Sequence, residues 1–336
     1  SDAAAVKAMV AQADCIVTCA GPFARYGTPV VQACAETGTH YVDITGETNW
    51  ARTMIEQFDD VARKSGARIV HFCGHDSVPW DLMSLMLAKK LKEKNEALAH
   101  LDMFDEISSE VSGGTIETAC GILFGAEKNV GKRSSLGYDA LLKCGDKAST
   151  STVKAQNVSG LRMAKGSEPH RTFFFMAGVN ANAVKRSNAL LKYGDRVTYC
   201  EGLAFKSMCP AVGFLLGLGA LGVGFAVPPI RWLLRKYVLP KPGEGPSEER
   251  MAKGFLTVTG HGRGVSGSNV KAVMHFPTDP GYKDTARMVV ESGLALVLDK
   301  EKIACGGGVF TPAACQGEVL LQRLQATGTT FSYHDA

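Results

Sequence analysis

The stretch Cys15-Ile16-Val17-Thr18-Cys19-Ala20-Gly21-Pro22 decides the fold. It is a short, unbroken apolar run, and the Gly-Pro at its end cannot continue a strand. A run without polar alternation is what a strand buried on both faces of a parallel sheet looks like. Upstream, residues 2–13 carry a helical pattern with Asp2 placed to cap it. Downstream, Pro29–Thr37 reads as a helix with Gly38 as its C-cap, and His40–Ile44 as a second strand. Trp50–Ser65 is a helix closed by Gly66, Ala67–Cys73 a third strand, and Trp80–Lys94 an amphipathic helix. Strand and helix alternate with short connections, which implies parallel strands joined by crossover helices. The expected fold class is therefore α/β, a doubly wound parallel sheet, with a second α+β domain after it.

The rhythm changes near Ala97. His100–Ile107 alternates as an antiparallel strand would, Ile116–Phe124 reads as helix, and residues 125–166 are polar and loop-rich. Thr172–Ala177, Arg196–Cys200 and Gly254–Gly260 read as further strands, and Tyr282–Leu298 as a helix. Gly306–Pro312 reads as a tight turn segment leading into a helix over Ala313–Gly328. Residues 207–230, SMCPAVGFLLGLGALGVGFAVPPI, contain no charge and are followed by Arg231, Arg235, Lys236 and Lys241. That length suffices for a membrane span, and its five glycines between Gly213 and Gly224 would allow close helix packing. A buried or interface helix, or a segment inserted in one monolayer, satisfies the same pattern.

The chain has 336 residues with a formal net charge of +4, an excess too small to argue for nucleic acid. Its ten cysteines form no C-x-x-C pair and lie in apolar segments, which favours reduced core thiols and an intracellular, reducing setting. No cluster has metal-ligand spacing, so no metal is expected.

Ligands of doubly wound sheets bind outside the carboxyl ends of the strands. Three strand ends thus supply the candidate cofactor-binding residues. The first offers Ala20, Gly21, Pro22 and Phe23, where glycine lets a flat ligand approach the backbone, although an ordinary strand-to-helix turn uses the same residues. The second offers Gly46 and Glu47 beside Asp43; these carboxylates suit ribose hydroxyls or acid–base work, although a loop cap and a helix first turn account for either one slightly better. The third offers Asp76 and Ser77, which also suit the cap of the helix near Pro79. No catalytic residue is assigned; His75 could donate a proton, but a histidine at a strand end is more often a hydrogen-bonded structural residue.

Together these motifs resemble the saccharopine dehydrogenase-like oxidoreductase family. The resemblance lies in CAGPFARYGTPVVQAC (residues 19–34), THYVDITGE (39–47) and GHDSVPWDL (74–82). It continues through GGTIETA (113–119), LPKPGEGPSEE (239–249) and GGVFTPAACQGEVLLQRL (307–324). It implies a partial Rossmann-like nucleotide domain over residues 1–96. An α+β substrate or dimerisation domain then covers 97–281, and C-terminal helices over 282–336 pack back on the first. The implied cofactor is NAD or NADP, with NADP slightly favoured. The family's Gly-rich pyrophosphate turn is not found in this sequence, so the expectation is a chain truncated at its N-terminus that binds the dinucleotide weakly. Residues Gly307–Val309, Thr311 and Pro312 resemble the family's cleft-closing segment.

Saccharopine carries three carboxylates, and the arginines here form no cluster. The resemblance also extends to trans-acting enoyl reductases of lipid synthesis and to lipid-droplet proteins. The expected activity is therefore hydride transfer to a lipid-linked or apolar small molecule. The alternatives are saccharopine dehydrogenase itself, or a lipid-droplet or membrane protein without turnover. A homodimer is expected, in the cytoplasm or on a membrane, lipid-droplet or mitochondrial surface.

Overall fold

The computed structural model describes residues 2–75, 77–109, 135–158, 160–165, 169–234, 237 and 245–334. Helix α1 (Ala3–Val10) leads into strand β1 (Cys15–Thr18). Helices α2 (Phe23–Tyr26) and α3 (Thr28–Thr37) connect it to β2 (His40–Asp43). Helix α4 (Thr48–Ser65) then reaches β3 (Arg68–Val70), and α5 (Val78–Glu93) follows. The expected caps are present: Asp2 accepts from the backbone N–H of Ala4, and α3 and α4 end at Gly38 and Gly66 with φ of 83° and 85°.

Beyond α5 come β4 (Leu98–Ser108), a small hairpin of β5 (Lys143–Cys144) and β6 (Lys147–Ala148), then β7 (Thr152–Asn157), β8 (Leu161–Arg162) and β9 (His170–Thr172). Helix α6 (Ala177–Leu191) precedes β10 (Arg196–Phe205). The helices α7 (Met208–Ala226), α8 (Pro228–Leu233) and α9 (Glu248–Lys253) lead to β11 (Phe255–Gly264) and β12 (Asn269–Phe276). Helix α10 (Thr285–Leu298), strand β13 (Gly308–Phe310), helices α11 (Pro312–Cys315) and α12 (Gly317–Ala326), and strand β14 (Thr330–His334) complete the chain.

Two sheets result. The first is parallel, in the order β1-β2-β3-β13. Side chains alternate across it with the period of two that a strand imposes. Tyr41, Ile69 and Val309 join a core with Trp50, Met54 and Ile55 of α4 and residues of α3. Val42, Val70 and Phe310 face the other way, onto Val289 and Leu296 of α10 and Cys315 of α11. Helices thus cover both faces, as the doubly wound reading requires. The second sheet is mixed, in the order β14-β12-β11-β4-β10-β9-β8, with β7 also beside β10. Its main core is formed with α5, α6 and α12.

Three expectations fail. Gly306–Pro312 is no turn: Gly308–Phe310 is a strand, paired Val309↔Ile69. Three residues are too few for a periodic signal, and the glycines have a packing reason. A Cβ on Gly307 would stand 2.1 Å from the carbonyl oxygen of Ala62 in α4. Thr172–Ala177 is not a strand; pairing stops at Thr172, and the Phe174 ring is buried against Trp80, 6.0 Å between centroids. An apolar run alone does not separate a buried loop from a strand. The helix expected over Ala313–Gly328 is divided at Gln316 and Gly317 (φ 49°), where the Gln316 side chain bonds to Ser292 instead. Residues 116–124, expected to be helical, lie outside the described residues, as do residues 113–119 of the family motif.

Candidate functional site at the parallel strand tips

The tips of β1, β2 and β3 are stitched together by two carboxylates. A helix's first N–H groups have no partner within the helix and attract negative charge. Glu47, 24 residues beyond the start of α2, supplies it: Phe23 N donates to Oε1 at 2.6 Å and Ala24 N to Oε2 at 2.8 Å. The tip of β1 is therefore fastened to that of β2. Asp43 makes the second join. Its Oδ1 accepts from Thr45 N at 3.1 Å and from Phe72 N at 3.3 Å. Its Oδ2 accepts from Tyr41 Oη at 3.0 Å and lies 2.7 Å from His71 Nδ1. Cys73 N also donates to the Asp43 carbonyl at 2.7 Å, so β2 is tied to β3.

The sequence-predicted residues now have places. Ala20, Gly21 and Pro22 are exposed at the β1 tip. The Phe23 ring is buried and stacks on Trp50, 5.6 Å between centroids, so Phe23 offers the rim its backbone rather than its ring. Gly46 is half-buried and lies next to the Met176 side chain. Glu47 is engaged with α2 through both oxygens. Ser77 is buried at the N-terminal end of α5, where its N–H donates to Gly74. Asp76 lies outside the described residues. Gly74 is packed against Ile44, which brings the third tip against the second. In the cleft-closing motif, Arg186 donates to the carbonyl of Val309 at 2.8 Å, and Thr311 caps α11.

Behind the tips lies a layer of buried polar groups that sequence reading missed. His71 is buried, and among the described residues its Nε2 has no hydrogen-bond partner. Asp81 of α5 accepts from Ser187 Oγ and, at 2.8 Å, from Ala313 N. Burial pushes its carboxyl up to about 6, against the opposing pull of those donors. Asp105 of β4 accepts from Trp80 Nε1 at 3.0 Å, while Glu201 of β10 accepts from Asn180 at 2.8 Å and from Tyr199 Oη. Burial, and then the neighbouring Glu201 carboxylate, push Asp105 well above the usual range. The signal was present in Leu101-Asp102-Met103-Phe104-Asp105, where one aspartate had to point inward, but its partner is 96 residues away.

A parallel sheet covered by helices on both faces, with its strand tips gathered on one side, is the frame of a dinucleotide-binding fold. Comparison with known proteins gives the family. Residues 1–70 match the saccharopine dehydrogenase NADP binding domain. The chain is 36% identical over 340 residues to a Mycobacterium tuberculosis protein named as a candidate trans-acting enoyl reductase, covering 97% of this chain and 81% of that one. It is 33% identical over 350 residues to a trans-acting enoyl reductase of Mycobacterium ulcerans, covering 99% and 83%. A saccharopine dehydrogenase from Saccharomyces cerevisiae shares the fold at a TM-score of 0.54 and 11% identity, over 99% of this chain and 88% of that one. The chain belongs to the saccharopine dehydrogenase-like family, and its cofactor class is NAD(P), with NADP favoured.

The β1 tip fits such a cofactor. A Cβ built on Gly21 would come no closer than 3.6 Å to the Phe23 ring, and Ala20, Gly21 and Pro22 are exposed, so a flat ring can reach the backbone here. Glu47 fits less well as a ribose ligand, because both of its oxygens already hold α2.

Proposed function

We propose that this chain is an NADPH-dependent reductase of a lipid-linked or otherwise apolar substrate, working at a lipid surface. The observation that carries the reading is α7. This helix of 19 residues is long and apolar enough to cross a membrane, yet only 17% of its apolar window is buried. A core helix of the same composition would be covered. Leu216 and Val223 are 70% and 65% exposed, and Ile230 and Trp232 of α8 continue the apolar surface.

The topology favours insertion from one side over crossing. β10 runs parallel to β4, and β11 runs antiparallel to it. Phe205, where the chain leaves, and Phe255, where it returns, therefore lie at the same end of the same sheet. A helix that crossed once would need a second apolar segment to come back, and the return carries Arg231, Arg235, Lys236 and Lys241. Basic residues beside an apolar hairpin suit anionic headgroups.

The cofactor would lie on Ala20, Gly21, Pro22 and Gly46, with the Phe23 backbone completing the rim and Ser77 buried behind it. When bound, its nicotinamide supplies a hydride. The chain's part is to present bare backbone, fix the tips through Glu47 and Asp43, and exclude water with Trp50 and Phe23. Three arginines are engaged within the fold and are not available to a tricarboxylate substrate. Arg171 is buried against Asp102 at 2.7 Å and over the Phe104 ring. Arg186 holds the carbonyls of Leu141, Lys143 and Val309. Arg68 holds those of Ile303 and Cys305.

Two assays test this. NADPH oxidation with a medium-chain enoyl-thioester should exceed NAD+ reduction with saccharopine, and the opposite ranking would overturn the substrate reading. The chain should float with anionic liposomes, and Leu216→Glu with Val223→Glu should abolish flotation. Unchanged flotation would sink the lipid-surface reading and leave the reductase reading standing.

A further inference from the structure

All nine cysteines among the described residues are free thiols. Two of them are held side by side: Cys305 Sγ lies 3.4 Å from Cys315 Sγ. Each is anchored by the fold. The carbonyl of Cys305 accepts from Arg68 Nε at 3.1 Å and from Nη2 at 2.9 Å. Cys315 ends α11, where its N–H donates to Thr311 at 3.0 Å, and the next residue is pinned to Ser292. Cys305 is partly exposed and Cys315 buried, so an oxidant reaches one thiol before the other.

We propose that Cys305 and Cys315 form a redox-active dithiol, in which Cys305 attacks a hydroperoxide and Cys315 resolves the product as an intrachain disulfide. The Cys305 thiolate sulfur attacks the peroxide's terminal oxygen and the O–O bond breaks. The departing alkoxide takes a proton and leaves as an alcohol, and Cys305 becomes a sulfenic acid. The Cys315 sulfur then attacks the Cys305 sulfur and passes its proton to the departing oxygen as the S–O bond breaks. Water departs, carrying that proton. In sum, two thiols are oxidised and one hydroperoxide is reduced to alcohol and water.

The surroundings single this pair out. The Cys315 side chain beside it, aided by Arg68, draws the Cys305 thiol below its ordinary range in spite of burial. Burial pushes Cys15 and Cys34 up to about 12 and raises Cys73 and Cys315 as well, so Cys305 is the attacking thiol and Cys315 serves through its position 3.4 Å away. A disulfide needs the sulfurs at about 2.05 Å, a closure of roughly 1.4 Å between two already facing atoms. The bond would enclose β13 together with Thr311 and Ala313, which hold Ser187 and Asp81 behind the cofactor rim. The redox state would thus set the stiffness of the segment bracing the third strand tip.

The test reads one peptide. Trypsin releases Ile303–Arg323, which contains both Cys305 and Cys315 and no other cysteine. After tert-butyl hydroperoxide, unfolding and alkylation, this peptide should carry no label and weigh two hydrogens less, with full labelling restored by dithiothreitol. Peptides with Cys34 and Cys73 should remain alkylated at the same dose. Cys315→Ser should strand Cys305 as a sulfenic acid that dimedone traps. Oxidised wild type should melt roughly 2–5 °C above reduced protein, and Cys305→Ser should show no such shift. A doubly alkylated Ile303–Arg323 peptide at doses that oxidise the other cysteines would overturn the proposal, as would Cys315→Ser without a dimedone adduct.

Discussion

Between Phe23 and Cys73, three loops distant in sequence are fastened by Glu47 and Asp43 through specific, short hydrogen bonds. Between Met208 and Ala226, by contrast, a helix nearly twice as long as α3 meets the body through few side chains, among them buried Ala211 and Phe214 against the Phe205 ring. The first region mixes apolar and charged residues, whereas the helix carries no charge at all. The first uses Glu47 and Asp43 to fix geometry; the second has no such group and leaves much of its hydrophobic surface outside. A site that must position a flat ring needs the former, whereas a surface that must meet a fluid, irregular partner needs only area and a basic margin.

Substitution should separate the two most sharply at Asp43. Replacing it with Ala strands Thr45 N, Phe72 N, Tyr41 Oη and His71 Nδ1, all buried or nearly so. The expected loss is about 3–4 kcal/mol of stability, together with weakened NADPH binding, read by urea denaturation and cofactor titration. A loss under about 1 kcal/mol would mean that the tips are not fastened as described.

Asp81 sharpens the comparison through pH. Its carboxyl titrates near 6 in the folded chain and near 4 when unfolded. Between those values the native state holds a proton that the unfolded state has lost, so stability falls as pH rises through that window. Wild type should lose up to about 3 kcal/mol from this group between pH 4 and pH 7. Asp81→Asn should remove that slope. Parallel stability curves for the two proteins from pH 4 to pH 7 would refute the buried, protonated carboxyl.

What could be read ahead of the structure follows the range of the interactions. The caps at Asp2, Gly38 and Gly66 are local, and their residue types announce them. The parallel rhythm of β1 to β3 repeats often enough to be periodic. Glu47 could be seen to sit near a strand tip, but not to cap α2, because its partners lie 23 and 24 residues back. The Asp105–Glu201 carboxyls and the Cys305–Cys315 thiols meet only once the strands and helices bearing them are in place. β13 was hidden for another reason. Its three residues owe their place to the shape of α4 and to their register beside Ile69, not to any pattern of their own.

The smallest expected effect is the most discriminating for α7. Leu216 is 70% exposed, so its side chain contributes little to the folded core. Leu216→Glu should therefore change urea stability by no more than about 0.5 kcal/mol. If α7 were packed in a soluble core or in an obligate dimer, a glutamate there would bury an unpaired charge, and the chain would lose several kcal/mol or its assembly. Neutral stability combined with lost liposome flotation is the pairing that a lipid-facing helix alone produces. A destabilised, still-floating variant would assign the apolar face to protein contact, and the contrast with the strand tips would then be one of partner rather than of medium.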